Sequence, residues 1–160
     1  MRASRHFKFS STLLALVLGF ALCQQALAGP PVVEAYSTFD DGPIFVPGSV
    51  VQTFHDVATL DVTPGLYVIF AKGYFKTHGG GGTLLDCKLI AGADNDRVRL
   101  GADGRDDHRT NYNSFALNVL HNFTSAGSVV LKCACDADDA DLGFVKITAM
   151  RVSSYWNVPQ

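Results

Sequence analysis

The chain has 160 residues, 48% of them hydrophobic, and a formal net charge of −2. This length fits one domain with a single core, and the acidic balance argues against a nucleic-acid partner, which would need a basic surface. Fourteen of the 15 acidic residues are Asp, which favours turns and loops over helix interiors. Together with the glycine-rich connections, this composition predicts many strands and few helices.

The first 28 residues have the layout of a secretory signal peptide. A basic head is formed by Arg2, Arg5 and Lys8. The apolar run Leu13–Cys23 follows, and it is shorter than the roughly 20 residues that a spanning helix needs, so we expect no membrane span. Cleavage is predicted after Ala28, the end of a small-x-small site. The expected mature domain, residues 29–160, is secreted or periplasmic and carries 10 basic residues against 15 acidic, a net charge of −5.

Nine short runs of strand-forming residues, separated by turn residues, make up the expected domain. No amphipathic helix is indicated, and we see no second domain and no repeat. The pattern predicts an all-β fold, an antiparallel β-sandwich of jelly-roll type. The predicted strands are Val32–Phe39, Ile44–Val46, Val50–Val62, Pro64–Phe75, Thr83–Ala91, Arg97–Leu100, Tyr112–Phe123, Ser128–Cys135 and Phe144–Ser153.

The fourth predicted strand is apolar on both faces from Leu66 to Ala71. A strand with one face in water alternates between apolar and polar residues, so this pattern predicts that both faces are covered. A central strand of a sandwich or a strand at a subunit interface meets that requirement. In the preceding strand, Asp56 interrupts an otherwise apolar face, which indicates a β-bulge or an edge position.

Three cysteines remain after the predicted signal peptide. Cys87 lies on the apolar face of its strand, and Cys133 and Cys135 lie on the apolar face of theirs. Export permits disulfides, so we predict one internal bridge from Cys87 to Cys133, with Cys135 as the less favoured partner. The remaining cysteine is expected to be a buried thiol, an intermolecular link being the alternative.

A loop rich in aspartate is the leading candidate metal site. It contains Asp136, Asp138, Asp139 and Asp141. Crowded carboxylates suit calcium, which would relieve their mutual repulsion. The alternative is a solvated hairpin loop that keeps a sheet edge soluble, and the spacing does not match an EF-hand.

No catalytic motif is recognisable in the sequence. The four histidines of the predicted domain lie on separate elements, and no Gly-x-Ser-x-Gly elbow is present. We therefore expect a non-enzymatic protein without a cofactor other than the calcium considered above. A secreted hydrolase is the weakest alternative.

Aromatic residues near the ends of predicted strands are the best indication of binding. Tyr112 and Trp156 are the candidate ligand-binding residues, because exposed aromatic rings bind sugars and anchor protein interfaces. Tyr36 and Phe45 are expected instead to close the ends of the sandwich.

Four short motifs carry a resemblance to known proteins. They are Pro64-Gly65-Leu66-Tyr67, Cys87-Lys88-Leu89, Val130-Leu131-Lys132-Cys133 and Lys146-Ile147-Thr148-Ala149-Met150-Arg151-Val152. Residues 60–152 resemble small secreted bacterial β-sandwich proteins, and their layout is similar to the jelly-roll heads of the tumour-necrosis-factor and complement superfamily. The resemblance implies a ten-strand-type jelly roll, often a homotrimer, with a binding or structural role and no active-site residues. The collagen-like stalk is absent, because Gly29–Asp41 has no Gly-X-Y period.

These features predict a secreted, non-enzymatic binding or assembly module. As an oligomeric surface protein, it would form a homotrimer through apolar residues of Leu66–Phe75 or Phe144–Val152. As a carbohydrate-binding module, it would bind a glycan through a flat row of exposed Tyr and Trp side chains.

Overall fold

The computed structural model describes residues 34–77, 83–102, 112–136 and 138–153, all of which belong to the compact unit Val33–Gln160. Every regular element within these ranges is a β-strand. No helix long and apolar enough to cross a bilayer occurs among the same residues. The strands are β1 (Ala35–Asp40), β2 (Ile44–Val46), β3 (His55–Val62), β4 (Gly65–Thr77), β5 (Thr83–Ala91), β6 (Asp94–Ala102), β7 (Tyr112–Phe123), β8 (Gly127–Cys135) and β9 (Ala140–Arg151).

The nine strands form two antiparallel sheets. One sheet has five strands in the order β1-β9-β4-β7, with β2 also paired to β9, and the other has four in the order β3-β8-β5-β6. Apart from β1 and β2, which share a sheet, and the β5–β6 hairpin, each connection carries the chain from one sheet to the other. The fold is a jelly-roll β-sandwich, as the spacing of strands and turns predicts.

Side chains that alternate along the strands fill the space between the sheets. On β4 the buried residues include Tyr67, Ile69 and Phe75, and on β5 they include Leu85 and Leu89. Because strand side chains point to opposite faces with a period of two, every second residue of the central strands enters one continuous apolar core. The alternation read from the sequence of β7 agrees with this arrangement, since Phe115, Leu117 and Val119 are buried.

The Cys87–Cys133 disulfide joins two strands within the four-stranded sheet. The two residues are directly paired between β5 and β8, and their Cα atoms are 4.1 Å apart. The predicted bridge is therefore confirmed. Cys135 is a free thiol with no exposed surface. Burial, together with the nearby Asp136 and Asp139 carboxylates, raises the pKa of Cys135 to about 11.

Several predicted strand limits were wrong. β6 runs from Asp94 to Ala102 instead of covering only Arg97–Leu100, because its whole length pairs with β5 and long-range pairing overrides the poor strand propensity of Asp and Asn. β9 begins at Ala140, so Asp141 lies in a strand and not in the acidic loop. β3 begins at His55, and its bulge between Asp56 and Ala58 and its edge position are both confirmed.

A buried carboxylate lies on the outward side of β5. Asp86 has no exposed surface, and it accepts hydrogen bonds from Arg97 Nε at 2.7 Å, from Arg97 Nη2, and from Arg99 Nε at 2.8 Å. Burial by itself would raise the pKa of Asp86, but the two guanidinium groups outweigh it and hold the pKa below its usual value. These hydrogen bonds connect β5 to the edge strand β6.

Candidate functional site

The side of the five-stranded sheet that points away from the core is open in the single chain, and we call it the open face. Cross-strand pairs show which residues share it, because directly paired residues of antiparallel strands point the same way. Val68 is paired with Met150 and Leu120, and Phe70 is paired with Thr148 and Asn118. The open face comprises Phe39, Phe45, Val68, Phe70, Lys72, Tyr74, Lys76, Tyr112, Ser114, Ala116, Asn118, Leu120, Asp141, Phe144, Lys146, Thr148 and Met150.

Four aromatic rings form a row across the strands of the open face. Phe39 of β1 stacks on Phe144 of β9, with ring centroids 6.4 Å apart. Phe144 contacts Tyr74 of β4 at 5.5 Å, and Tyr74 makes an edge contact with Tyr112 of β7 at 5.2 Å. The row therefore spans β1, β9, β4 and β7, and most of it is in contact with solvent: Phe39, Phe144 and Tyr112 are each more than half exposed.

A β-bulge in β9 places Phe144 in this row. Lys72 is paired with Lys146 and Tyr74 with Gly143, so two residues of β9 lie opposite the single residue Gly73. Phe144 has a φ of 50°, in the left-handed region that a bulky side chain rarely adopts. A Cβ at position 143 would lie 2.5 Å from the Tyr74 ring, so the glycine there leaves room for Tyr74 beside the bulge.

The exposed apolar surface is concentrated on this face. Among the described residues eight large hydrophobic side chains are exposed, and six of them belong to the open face: Phe39, Phe45, Phe70, Tyr112, Phe144 and Met150. The other two, Val50 and Val51, lie in the connection between β2 and β3. Scattered exposed apolar residues are ordinary on protein surfaces, whereas a contiguous patch marks an interaction surface.

Three lysines interrupt the apolar surface of the open face. Lys76 lies directly opposite Asp141. Lys72 and Lys146 lie opposite each other instead, and neither ammonium group has a described carboxylate within 4.0 Å. Both lysines line a shallow depression of about 350 Å³ together with Phe70, Ala116 and Thr148.

The open face changes two expectations from the sequence. The outer side of β4 is partly open to solvent, since Phe70 on that side is 43% exposed. The central position of β4 in the sandwich therefore does not by itself explain why both faces of this strand are apolar. Phe45 was expected to close an end of the sandwich but is 57% exposed, because it pairs opposite Asp141 on the open face. Tyr36 packs against the core as expected.

Of the two candidate ligand-binding residues, Tyr112 lies at one end of the aromatic row, and Trp156 lies outside the described residues. Sequence reasoning missed Tyr74 as a member of the row and did not foresee the bulge that joins it to Phe144. A glycine followed by an exposed aromatic residue inside a β-run, as at Gly143-Phe144, is the signal that could have indicated a bulge.

Three aspartates of the predicted calcium site accept hydrogen bonds from other segments of the protein. Asp136 accepts a hydrogen bond from the Leu84 backbone N–H at 2.8 Å, and Asp139 accepts one from the Gly48 N–H at 2.7 Å. Asp138 accepts a hydrogen bond from the Thr83 hydroxyl at 3.4 Å. In the part of the chain that the structure describes, no three acidic, His or Cys residues converge as a metal-binding group. Calcium binding stays a prediction.

His121 lies near the end of β7 and is partly buried. Its Nδ1 is 2.8 Å from an Asp94 carboxylate oxygen, and its ring packs edge-on against Phe123. Since His121 and Asp94 belong to different sheets, this contact joins the two layers at one end of the sandwich.

Comparisons with known proteins find the fold but no family. No family model matches the chain, and no curated protein matches it. VP2 of infectious bursal disease virus, Gx strain, is similar over 78% of this chain with a TM-score of 0.54 and 12% identity. A VP2 subviral particle structure is similar over 76% with a TM-score of 0.51 and 12% identity. The chain spans about a third of VP2, 33% in each case.

The Eiger TNF of S. frugiperda is also similar, over 80% of this chain and 98% of its own, with 12% identity and a TM-score of 0.48. The likenesses at these identities concern architecture. The VP2 likenesses agree with the jelly-roll topology that the strand pairing shows.

Proposed function

We propose that this protein is a non-enzymatic assembly or binding module that self-associates into a homotrimer through the open face. The observation that carries the proposal is the location of six of the eight exposed large hydrophobic side chains on that face. An apolar patch of this kind is stabilised when another surface removes it from water, at roughly 25 cal/mol per Å² of apolar area. The double apolar pattern of β4 has the same explanation, because a subunit interface would cover its second face.

Two further points favour a second copy of the chain as the occupant. The open face carries both exposed apolar side chains and charged groups, so a copy of the chain offers it the same kinds of surface. A third of VP2 has a similar fold, and that protein is described from a subviral particle. The trimer as stoichiometry follows the resemblance to tumour-necrosis-factor and complement heads.

A glycan is the less favoured occupant of the aromatic row. Sugar rings stack on flat aromatic surfaces, whereas the planes of Tyr74 and Tyr112 are 79° apart and those of Tyr74 and Phe144 are 57° apart. Such edge-on packing is typical of aromatic clusters in protein cores and interfaces. We further propose that the module acts outside the cytoplasm, which the predicted signal peptide and the disulfide both support.

The test compares the solution mass of the full-length expressed protein with that of two surface variants, by sedimentation velocity over a range of concentrations. Phe70→Asp places a charge at the middle of the open face. It should weaken association by about 2–3 kcal/mol per subunit, on the order of 100-fold, and leave a folded monomer. Val51→Asp is the matched control, because Val51 is exposed and apolar but lies off the open face.

The proposal expects a trimer for the wild type and for Val51→Asp, and a monomer for Phe70→Asp. A wild type that stays monomeric at every concentration would contradict it. A monomeric wild type that binds on a glycan array and loses that binding on Tyr112→Ala would favour the carbohydrate-binding alternative.

A further inference from the structure

The centre of the open face combines two lysines with apolar surroundings. Lys146 of β9 lies directly opposite Lys72 of β4, and Lys72 lies directly opposite Ala116 of β7. Like charges in direct cross-strand pairs destabilise a sheet. No described carboxylate lies within 4.0 Å of either ammonium group. Burying these two positive charges against another surface would therefore require a counter-charge from outside the described part of the chain.

The side chains around these lysines form a concave site. Lys72, Lys146 and Thr148 line the depression of about 350 Å³, and Phe70 and Ala116 supply apolar walls. Two ammonium groups and a hydroxyl are hydrogen-bond donors that suit the several acceptor oxygens of a tetrahedral oxyanion. The apolar walls lower the local dielectric constant, which strengthens the attraction between the ammonium groups and an anion.

We propose that Lys72, Lys146 and Thr148 bind a small oxyanion of the phosphate or sulfate class, and that its binding promotes self-association. The second part rests on the proposed function. Burying two ammonium groups per subunit without a counter-charge is strongly unfavourable. A bound oxyanion neutralises them and thereby removes the main electrostatic obstacle to burying the open face at a subunit interface.

The experiment measures association of the wild-type protein by sedimentation velocity in chloride and in inorganic phosphate at equal ionic strength and pH. The proposal requires that the assembled state bind phosphate more tightly than the monomer. At ten times the dissociation constant of the assembled state, and with far weaker binding to the monomer, phosphate should favour assembly by about tenfold for each occupied site. Binding itself is measured separately, by phosphorus NMR line broadening in the presence of the protein.

The decisive variant is Lys72→Met/Lys146→Met, which keeps two long side chains and removes both charges. It should bind no phosphate and should assemble equally well in chloride and in phosphate. Lys88→Met is the control, since Lys88 belongs to β5 in the other sheet and lies 4.2 Å from the Phe54 ring centroid. It should keep the full phosphate effect of the wild type.

The possible outcomes separate the two proposals. A wild type that assembles to the same extent in chloride and in phosphate, or that broadens no phosphate signal, would overturn the oxyanion site and leave the trimer standing. A wild type that binds phosphate through Lys72 and Lys146 but never assembles would support the site and overturn the proposed function. A phosphate effect that persists in the double variant would also overturn the site.

Discussion

Replacing Cys87 and Cys133 together by Ala removes the disulfide that joins the middle of β5 to β8. The two residues are 46 positions apart in the chain. In the loop-entropy description of a disulfide, a closed loop of this length restricts the unfolded chain by about 4 kcal/mol at 25 °C. Loss of native bridges from small secreted domains generally costs 2–5 kcal/mol, so we expect the free energy of unfolding to fall by about 4 kcal/mol.

Urea unfolding followed by intrinsic fluorescence measures this difference, with linear extrapolation to zero denaturant. Cys135→Ala is the control, because Cys135 is equally buried on the same side of β8 but forms no bridge. The control should cost about 1 kcal/mol, the ordinary result of one small core substitution. If the double variant loses no more stability than Cys135→Ala, the bridge does not restrain the unfolded chain as argued here.

Two further predictions concern buried groups of the four-stranded sheet. Because the folded-state pKa of Asp86 lies below its ordinary value of 3.8, its contribution to stability is present above that pH and is lost as pH falls through the folded-state pKa. The variant Arg97→Met/Arg99→Met leaves the buried carboxylate without a partner and raises its pKa. Its free energy of unfolding should be about 3 kcal/mol lower at pH 7, and part of this loss should disappear towards pH 4, where the carboxylate is protonated. Urea titrations that show the same loss at every pH would contradict this prediction. Cys135 has a pKa of about 11, so little of it is thiolate at pH 8. Iodoacetamide should therefore alkylate it at least about 100-fold more slowly in the folded protein than in urea. Equal alkylation rates by mass spectrometry would show that the thiol is accessible.

The sequence alone determined the architecture and the disulfide. β2, β5 and β7 have the limits that alternation and turn residues predict. These limits can be predicted because the core-facing side of a strand is recognisable from the apolar residues of that strand alone. The Cys87–Cys133 bridge followed for the same reason, since both cysteines lie on apolar faces. The burial of Asp86 was not foreseen, because its partners Arg97 and Arg99 reach it only through the β5–β6 register.

Only the tertiary structure decided the composition of the open face. Phe39, Tyr74, Tyr112 and Phe144 come from four strands that are distant in the chain, and the backbone hydrogen bonds between β1, β9, β4 and β7 bring them together. A one-residue change in any of these registers would turn the side chains to the other face. The alternation of residues along a strand shows that the strand has an apolar and a polar face. The neighbouring strands determine which residues lie together on each face and whether that face is buried or exposed.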